Sequence, residues 1–140
     1  MKLYIAGPLF NEMERSRNEE IASMLEAVGI VTYLPQRDGG VFSDEIQSST
    51  KVNSLKKEIF DKDIQAIQSC DYILALLDGG VLDEGMCIEL GIAFASKKKC
   101  FGYMTDTRTF NKEGINLMID GVLENIFTTR DDLVNFFSNI

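Results

Sequence analysis

"KDIQAIQSCDYILALLDG", residues 62–79, changes its hydrophobic pattern partway along. Ala66 and Ile67 follow Ile59 and Phe60 at helical spacing, with Asp61, Lys62, Gln65 and Gln68 on the other side, so the stretch from about Asn53 to Ser69 reads as a helix. From Asp71 to Leu77 the chain is apolar without alternation, as in a strand whose two faces are both covered by helices. Asp78-Gly79-Gly80 then breaks it. A buried strand fed by a helix is the repeating unit of a parallel α/β sheet.

Working outward, the same alternation recurs. Lys2 to Ala6 is a short apolar strand ended by Gly7-Pro8. Asn11 to Val28 is helical, with Ile21, Met24, Leu25 and Val28 as its stripe and Gly29 as its stop. Ile30 to Leu34 is a second strand closed by Pro35, and residues 36–51 read as a long polar loop, a kind of segment that is often functional. After the central stretch come a helix from about Asp83 to Lys97, a strand over Lys99 to Met104, and a polar loop from Thr105 to Gly114. A short helical turn near Ile115 to Ile119, a strand near Asn125 to Thr128 and a helix from Arg130 to Ser138 complete the chain. Without repeat or linker, residues 1–140 are expected to form one domain. The expected architecture is a doubly wound α/β sandwich on a five-stranded parallel sheet. Ligands in such folds lie beyond the carboxyl ends of the strands.

Composition removes several classes of function. With no histidine, acid-base chemistry must fall to carboxylates, tyrosine, lysine or cysteine, and the usual zinc sites are not expected. A net charge of −8 disfavours a nucleic-acid partner, which needs clustered Lys and Arg. The basic run Lys97-Lys98-Lys99 reads as the charged end of a helix. Cys70, Cys87 and Cys100 lack metal or redox spacing and read as reduced core residues. The longest apolar stretches fall short of the roughly 18 to 20 residues that span a bilayer, and Met1 to Gly7 meets Pro8 too soon for a signal peptide. A cytoplasmic protein without membrane contact is expected.

Two carboxylates stand where apolar residues belong. Glu89 shares its helical face with Gly85, Met86, Ile92 and Ala93. A helical side chain leans toward the N-terminus, so Glu89 is expected to point over Gly85, where a small molecule would fit. Asp63 repeats the anomaly between Ile59, Phe60, Ala66 and Ile67. An unpaired buried carboxylate costs several kcal/mol, so each needs a partner, a raised pKa or a substrate. Capping a loop would explain either one alone; two on helices flanking one strand favour function. Asp83 stands at an expected helix N-cap, and capping alone would account for it. Asp78 reads as turn chemistry with Gly79. Tyr4, near the end of the first strand, has a hydroxyl that can reach a carboxylate across the strand ends.

Four segments together, "YIAGPLF", "KDIQAIQSCDYILALLDG", "DEGMCIELGIAFASKK" and "INLMIDG", resemble the nucleoside 2-deoxyribosyltransferases. The resemblance runs in order from Tyr4 to about Gly121, and its most specific parts are Glu89-Leu90-Gly91 and Asn116-Leu117-Met118. It implies a flavodoxin-like sandwich and transfer of deoxyribose between nucleobases, with deoxyribonucleosides and free bases as partners and neither cofactor nor metal. By resemblance Glu89 is the nucleophile, Tyr4 holds its carboxylate, Asp63 exchanges a proton with the base, and Asp83 fixes the base edge. Gly7 and Gly85 fall among the substrate-binding positions. Asn116 matches an asparagine that reaches a sugar hydroxyl in a neighbouring subunit, implying a homo-oligomer built from dimers with shared sites. The turn Asp78 to Asp83 is shorter and richer in glycine than expected, and Phe136 to Ile140 does not resemble the family's ending, so Ile140 is given no role. The 36–51 loop does not map and is a candidate for base preference.

Two other readings fit part of the pattern. A hydrolase of deoxynucleoside 5'-monophosphates would use the same nucleophile with serines around the phosphate, for which Ser43, Ser48 and Ser49 are candidates. A non-enzymatic flavodoxin-like nucleotide-binding module gives Glu89 no purpose, and no phosphate loop is evident.

Overall fold

The computed structural model describes residues 1–40, 52–106, 108 and 114–140. Five parallel strands, β1 (Lys2–Ala6), β2 (Val31–Tyr33), β3 (Tyr72–Leu76), β4 (Lys99–Tyr103) and β5 (Asn125–Phe127), form one sheet in the order β2-β1-β3-β4-β5. That is the flavodoxin-like order, with its topological switch between β1 and β3. Helices α1 (Glu12–Ala27) and α5 (Arg130–Ser138) cover one face, and α2 (Val52–Ser69), α3 (Glu84–Ala95) and the short α4 (Leu117–Val122) cover the other.

Strand alternation divides the core. Leu3, Ile5, Leu74, Leu76 and Phe101 face α1 and α5, where Ile21, Leu25, Leu133 and Phe137 meet them. Tyr4, Ala6, Ile73, Ala75 and Leu77 face α2 and α3, where Ile67, Met86, Leu90 and Ala93 pack. Burial of each large aliphatic side chain contributes about 1.5–3 kcal/mol, so the sheet is held from both sides. Phe136 and Phe137 pack against Phe101 and Phe127 beneath β4 and β5, and α5 is thereby committed to the core.

Several sequence expectations change. A π-type turn over Pro35–Gly39 occupies part of what reads as loop. It is fixed by Asp38, whose carboxylate accepts from the Leu34 N–H (2.8 Å), and by Arg37, which donates to Glu26 (3.0 Å) and to the Thr32 carbonyl (3.1 Å). Residues 41–51, including Ser43, Ser48 and Ser49, lie outside the described residues. The three lysines are not a helix end: α3 stops at Ala95, Lys97 takes a left-handed conformation (φ 59°), and Lys99 already belongs to β4. A left-handed residue just past the cap is a standard helix stop. Asp78 does more than make a turn, because it accepts from the backbone N–H of Thr105 (2.7 Å) and Asp106 (2.9 Å) and pairs with Arg17, tying the ends of β3 and β4 together. Phe60 is 59% exposed and so does not bury Asp63 from its side.

Candidate active site

The parallel register sets Tyr4 of β1 beside Tyr33 of β2. On one sheet face their rings stack, with centroids 5.3 Å apart and 15° between planes. From this pair the hydroxyls diverge. Tyr4 donates to Glu89 Oε1 on α3 across 2.6 Å, and Tyr33 donates to Asp63 Oδ1 on α2 across 3.2 Å. The two helices therefore lean their misplaced carboxylates toward a single tyrosine stack at the carboxyl end of the sheet.

Electrostatics follow from the geometry. Glu89 is half-buried, and desolvation pushes its pKa up to about 7, with the Tyr4 hydrogen bond opposing the rise and the carboxylates of Asp63 and Asp83 adding to it. Asp63 is raised as well, first by desolvation, while the Tyr33 hydroxyl and Lys62 pull it back. Both tyrosines are pushed well above the ordinary phenol value, first by burial and then by the nearby carboxylates, so both are neutral O–H donors. Burial thus holds both carboxyls above their ordinary range, and Glu89 exchanges its proton near neutral pH.

Asp83 caps α3: its Oδ2 accepts from the Met86 N–H at 2.7 Å. A Cβ placed on Gly85 would meet, among the described residues, Asp83 Oδ2 at 3.2 Å, not Glu89, whose carboxylate has turned to Tyr4 instead. The expected open ground over Gly85 is present, then, but it is bordered by Asp83. Gly7 has a packing reason of its own. A Cβ there would lie 2.8–3.0 Å from the Leu76 side chain, so the chain leaving β1 can pass β3 this closely only as glycine.

Among the described residues, Asn116 makes no hydrogen bond to Glu89. It caps α4, accepting from the Met118 N–H at 2.8 Å, and lines a cavity of about 880 Å³ with Leu82, Cys87, Ile115 and Ile119 on the side of α3 that faces α4. Cys87 is therefore a half-buried cavity residue, whereas Cys70 and Cys100 are buried in the core as expected.

Sequence reasoning missed Tyr33 and Gly39. A Cβ on Gly39 would fall 2.6 Å from Asp63 Oδ1 and 2.9 Å from the Tyr33 hydroxyl, so the π-type turn lies directly on the acid. The available signal was a tyrosine in each of the first two strands, Tyr4 within β1 and Tyr33 at the end of β2. Asn18, buried in α1, joins this turn to the first loop by donating to the Pro8 carbonyl (2.9 Å) and to Gln36 (3.0 Å).

Among the described residues, no helix is long and apolar enough to cross a membrane, and no group of three or more Cys, Asp or Glu is arranged to hold a metal ion. Comparison with known proteins gives a consistent result. The family model described as nucleoside 2-deoxyribosyltransferase matches residues 3–126. A nucleoside deoxyribosyltransferase of Limosilactobacillus fermentum is 33% identical over 69% of the chain, which spans 61% of that relative's length. A 2-deoxyribosyltransferase structure from Bacillus psychrosaccharolyticus superposes with a TM-score of 0.78 at 23% identity, covering 96% of this chain and 91% of that one. A CMP N-glycosidase structure from Clostridium botulinum superposes at 0.60 with 20% identity, covering 97% of each. The last two likenesses concern the fold.

Proposed function

The chain belongs to the nucleoside 2-deoxyribosyltransferase family, and from that premise we propose that it transfers 2-deoxyribose from one nucleobase to another through Glu89. The observation that carries the reading is the Tyr4–Glu89 hydrogen bond of 2.6 Å beside the raised acid Asp63. Glu89 attacks the anomeric carbon as its carboxylate, and the bond from that carbon to the base nitrogen breaks. Its electron pair leaves with the base, which takes a proton from Asp63. The sugar is left as an ester on Glu89. A second base then attacks the same carbon, returns its proton to Asp63 and releases Glu89, so two inversions give net retention.

The surrounding residues fit this sequence of steps. Tyr4 donates to the carboxylate form of Glu89, offsetting the cost of its burial. Asp83 spends one oxygen on the α3 cap and presents the other to the base edge, Gly85 keeps the approach clear, and Gly7 lets the loop after β1 pass close to β3 beside the site. Asn116 serves the site of a second subunit. Support for that last role comes from the apolar residues standing exposed on α3 and α4, namely Ile88, Phe94, Leu117 and Met118, a surface that a partner copy would cover.

The second reading is hydrolysis of a deoxynucleoside 5'-monophosphate by the same nucleophile, kept in view by the fold shared with an N-glycosidase. One incubation separates the two. Base exchange that requires a second free base supports transfer, and release of base from the monophosphate alone supports hydrolysis.

A further inference from the structure

We propose that Tyr33 is a positioning residue that selects which oxygen of Asp63 delivers the proton to the departing base, with Gly39 keeping the space this arrangement needs. The inference rests on the reading of Asp63 as the acid. It starts from hydrogen-bond bookkeeping. A protonated carboxyl has one O–H, and a neutral phenol beside it donates one hydrogen bond. Because Tyr33 donates to Oδ1, the Asp63 proton is directed to the other oxygen, Oδ2. At 3.2 Å the bond is long for a hydroxyl and a carboxyl, so it orients the acid more than it stabilises it.

Three further contacts make the orientation rigid. The Tyr33 ring cannot swing freely, because it lies against the Tyr4 ring at 5.3 Å, and Tyr4 is itself held by Glu89. Gly39 closes over the other side of the same contact, at 2.6 Å from Asp63 Oδ1 and 2.9 Å from the Tyr33 hydroxyl for any added Cβ. The turn that carries Gly39 is anchored by Asp38, Arg37 and the Asn18–Gln36 bond. Nucleophile and acid are thus referenced to one stacked pair, which fixes the acid's donor oxygen relative to the carboxylate that attacks.

The discriminating experiment compares Tyr33→Phe and Gly39→Ala with the parent protein on a matched pair of substrates. One is a deoxynucleoside the protein exchanges; the other carries a nitro group on the same base, so that the base departs with less need of a proton. Misplacing a proton donor by about 1 Å costs on the order of 10²-fold. Both variants are expected to lose kcat on the ordinary nucleoside to roughly that extent, with little change in KM and a much smaller loss on the nitro analogue. Introduced into Asp63→Asn, Tyr33→Phe is expected to add almost nothing. Equal losses on the two substrates, or no loss on either, would overturn the assignment, and activity on the nitro analogue certifies that the variants are folded. Parent protein that neither exchanges nor releases any base would instead sink the reading of the site on which this inference depends.

Discussion

The hydroxyl of Tyr4 donates to Glu89 Oε1 across 2.6 Å, joining β1 to α3 between residues 85 positions apart in sequence. The bond opposes the burial that pushes Glu89 up to about 7. Removing it in Tyr4→Phe costs the charged form more than the neutral one, so the Glu89 pKa rises further. A hydrogen bond to a charged group contributes about 1.5–3 kcal/mol, or roughly one to two pH units. The acidic limb of the pH profile for formation of the sugar ester is expected to move up by about that amount in Tyr4→Phe, as measured by rapid-quench kinetics. An unmoved limb would separate Tyr4 from the nucleophile.

Stability should carry the same signature with a definite sign. Glu89 titrates near 4.5 in the unfolded chain and about 7 in the folded one. The folded state then binds more protons between those values, and the contribution is present below about pH 4.5 and lost as pH rises through 7. The full shift corresponds to roughly 3 kcal/mol, an upper figure for a half-buried group. Glu89→Gln, which keeps the shape and an acceptor for Tyr4, is expected to unfold at a higher urea concentration than the parent at pH 8, with the gap closing toward pH 5. Urea titrations at the two pH values measure it, and a constant gap would contradict the burial argument.

Gly7 tests the packing beneath the site. In Gly7→Ala the added methyl would lie 2.8–3.0 Å from Leu76 atoms, so either β3 or the loop after β1 must shift. Overpacking of this kind costs about 1–3 kcal/mol. A lowered urea midpoint with an unchanged slope is the expected result, whereas parent-like stability would mean that the loop yields without strain.

Sharing of sites between subunits is open to complementation. If Asn116 completes the site of a neighbour, Glu89→Gln and Asn116→Ala are each inactive or weak as pure proteins. Co-expressed, they form mixed oligomers in which some sites draw Glu89 from one chain and Asn116 from the other. Recovered base exchange in the mixture is expected. Activity no greater than the average of the two variants would assign Asn116 to its own chain's cavity.

Periodicity made the sheet and its helices legible because both faces are buried, which leaves unbroken apolar strands and striped helices. Glu89 and Asp63 were legible for the converse reason, as carboxylates set in apolar stripes. Tyr33 was not, since a tyrosine in a strand reads as core until the register places it against Tyr4. Gly39 was equally silent: the Pro35–Gly39 turn is built from long-range bonds by Arg37 and Gln36, and its polar residues carry no periodic signal. The lysine run misled because a left-handed stop at Lys97 ends α3 before the charges begin, a backbone event that side-chain chemistry does not announce.

The most direct test is covalent. A 2-fluoro-substituted deoxynucleoside slows the second step by destabilising the oxocarbenium-like transition state, so the sugar should accumulate on the enzyme. The protein is expected to gain the mass of one fluorinated deoxyribosyl group, and peptide mapping should place it on the fragment containing Glu89, with none on Glu89→Gln. A label on another residue, or full exchange activity in Glu89→Ala, would contradict the assignment of Glu89 as the nucleophile.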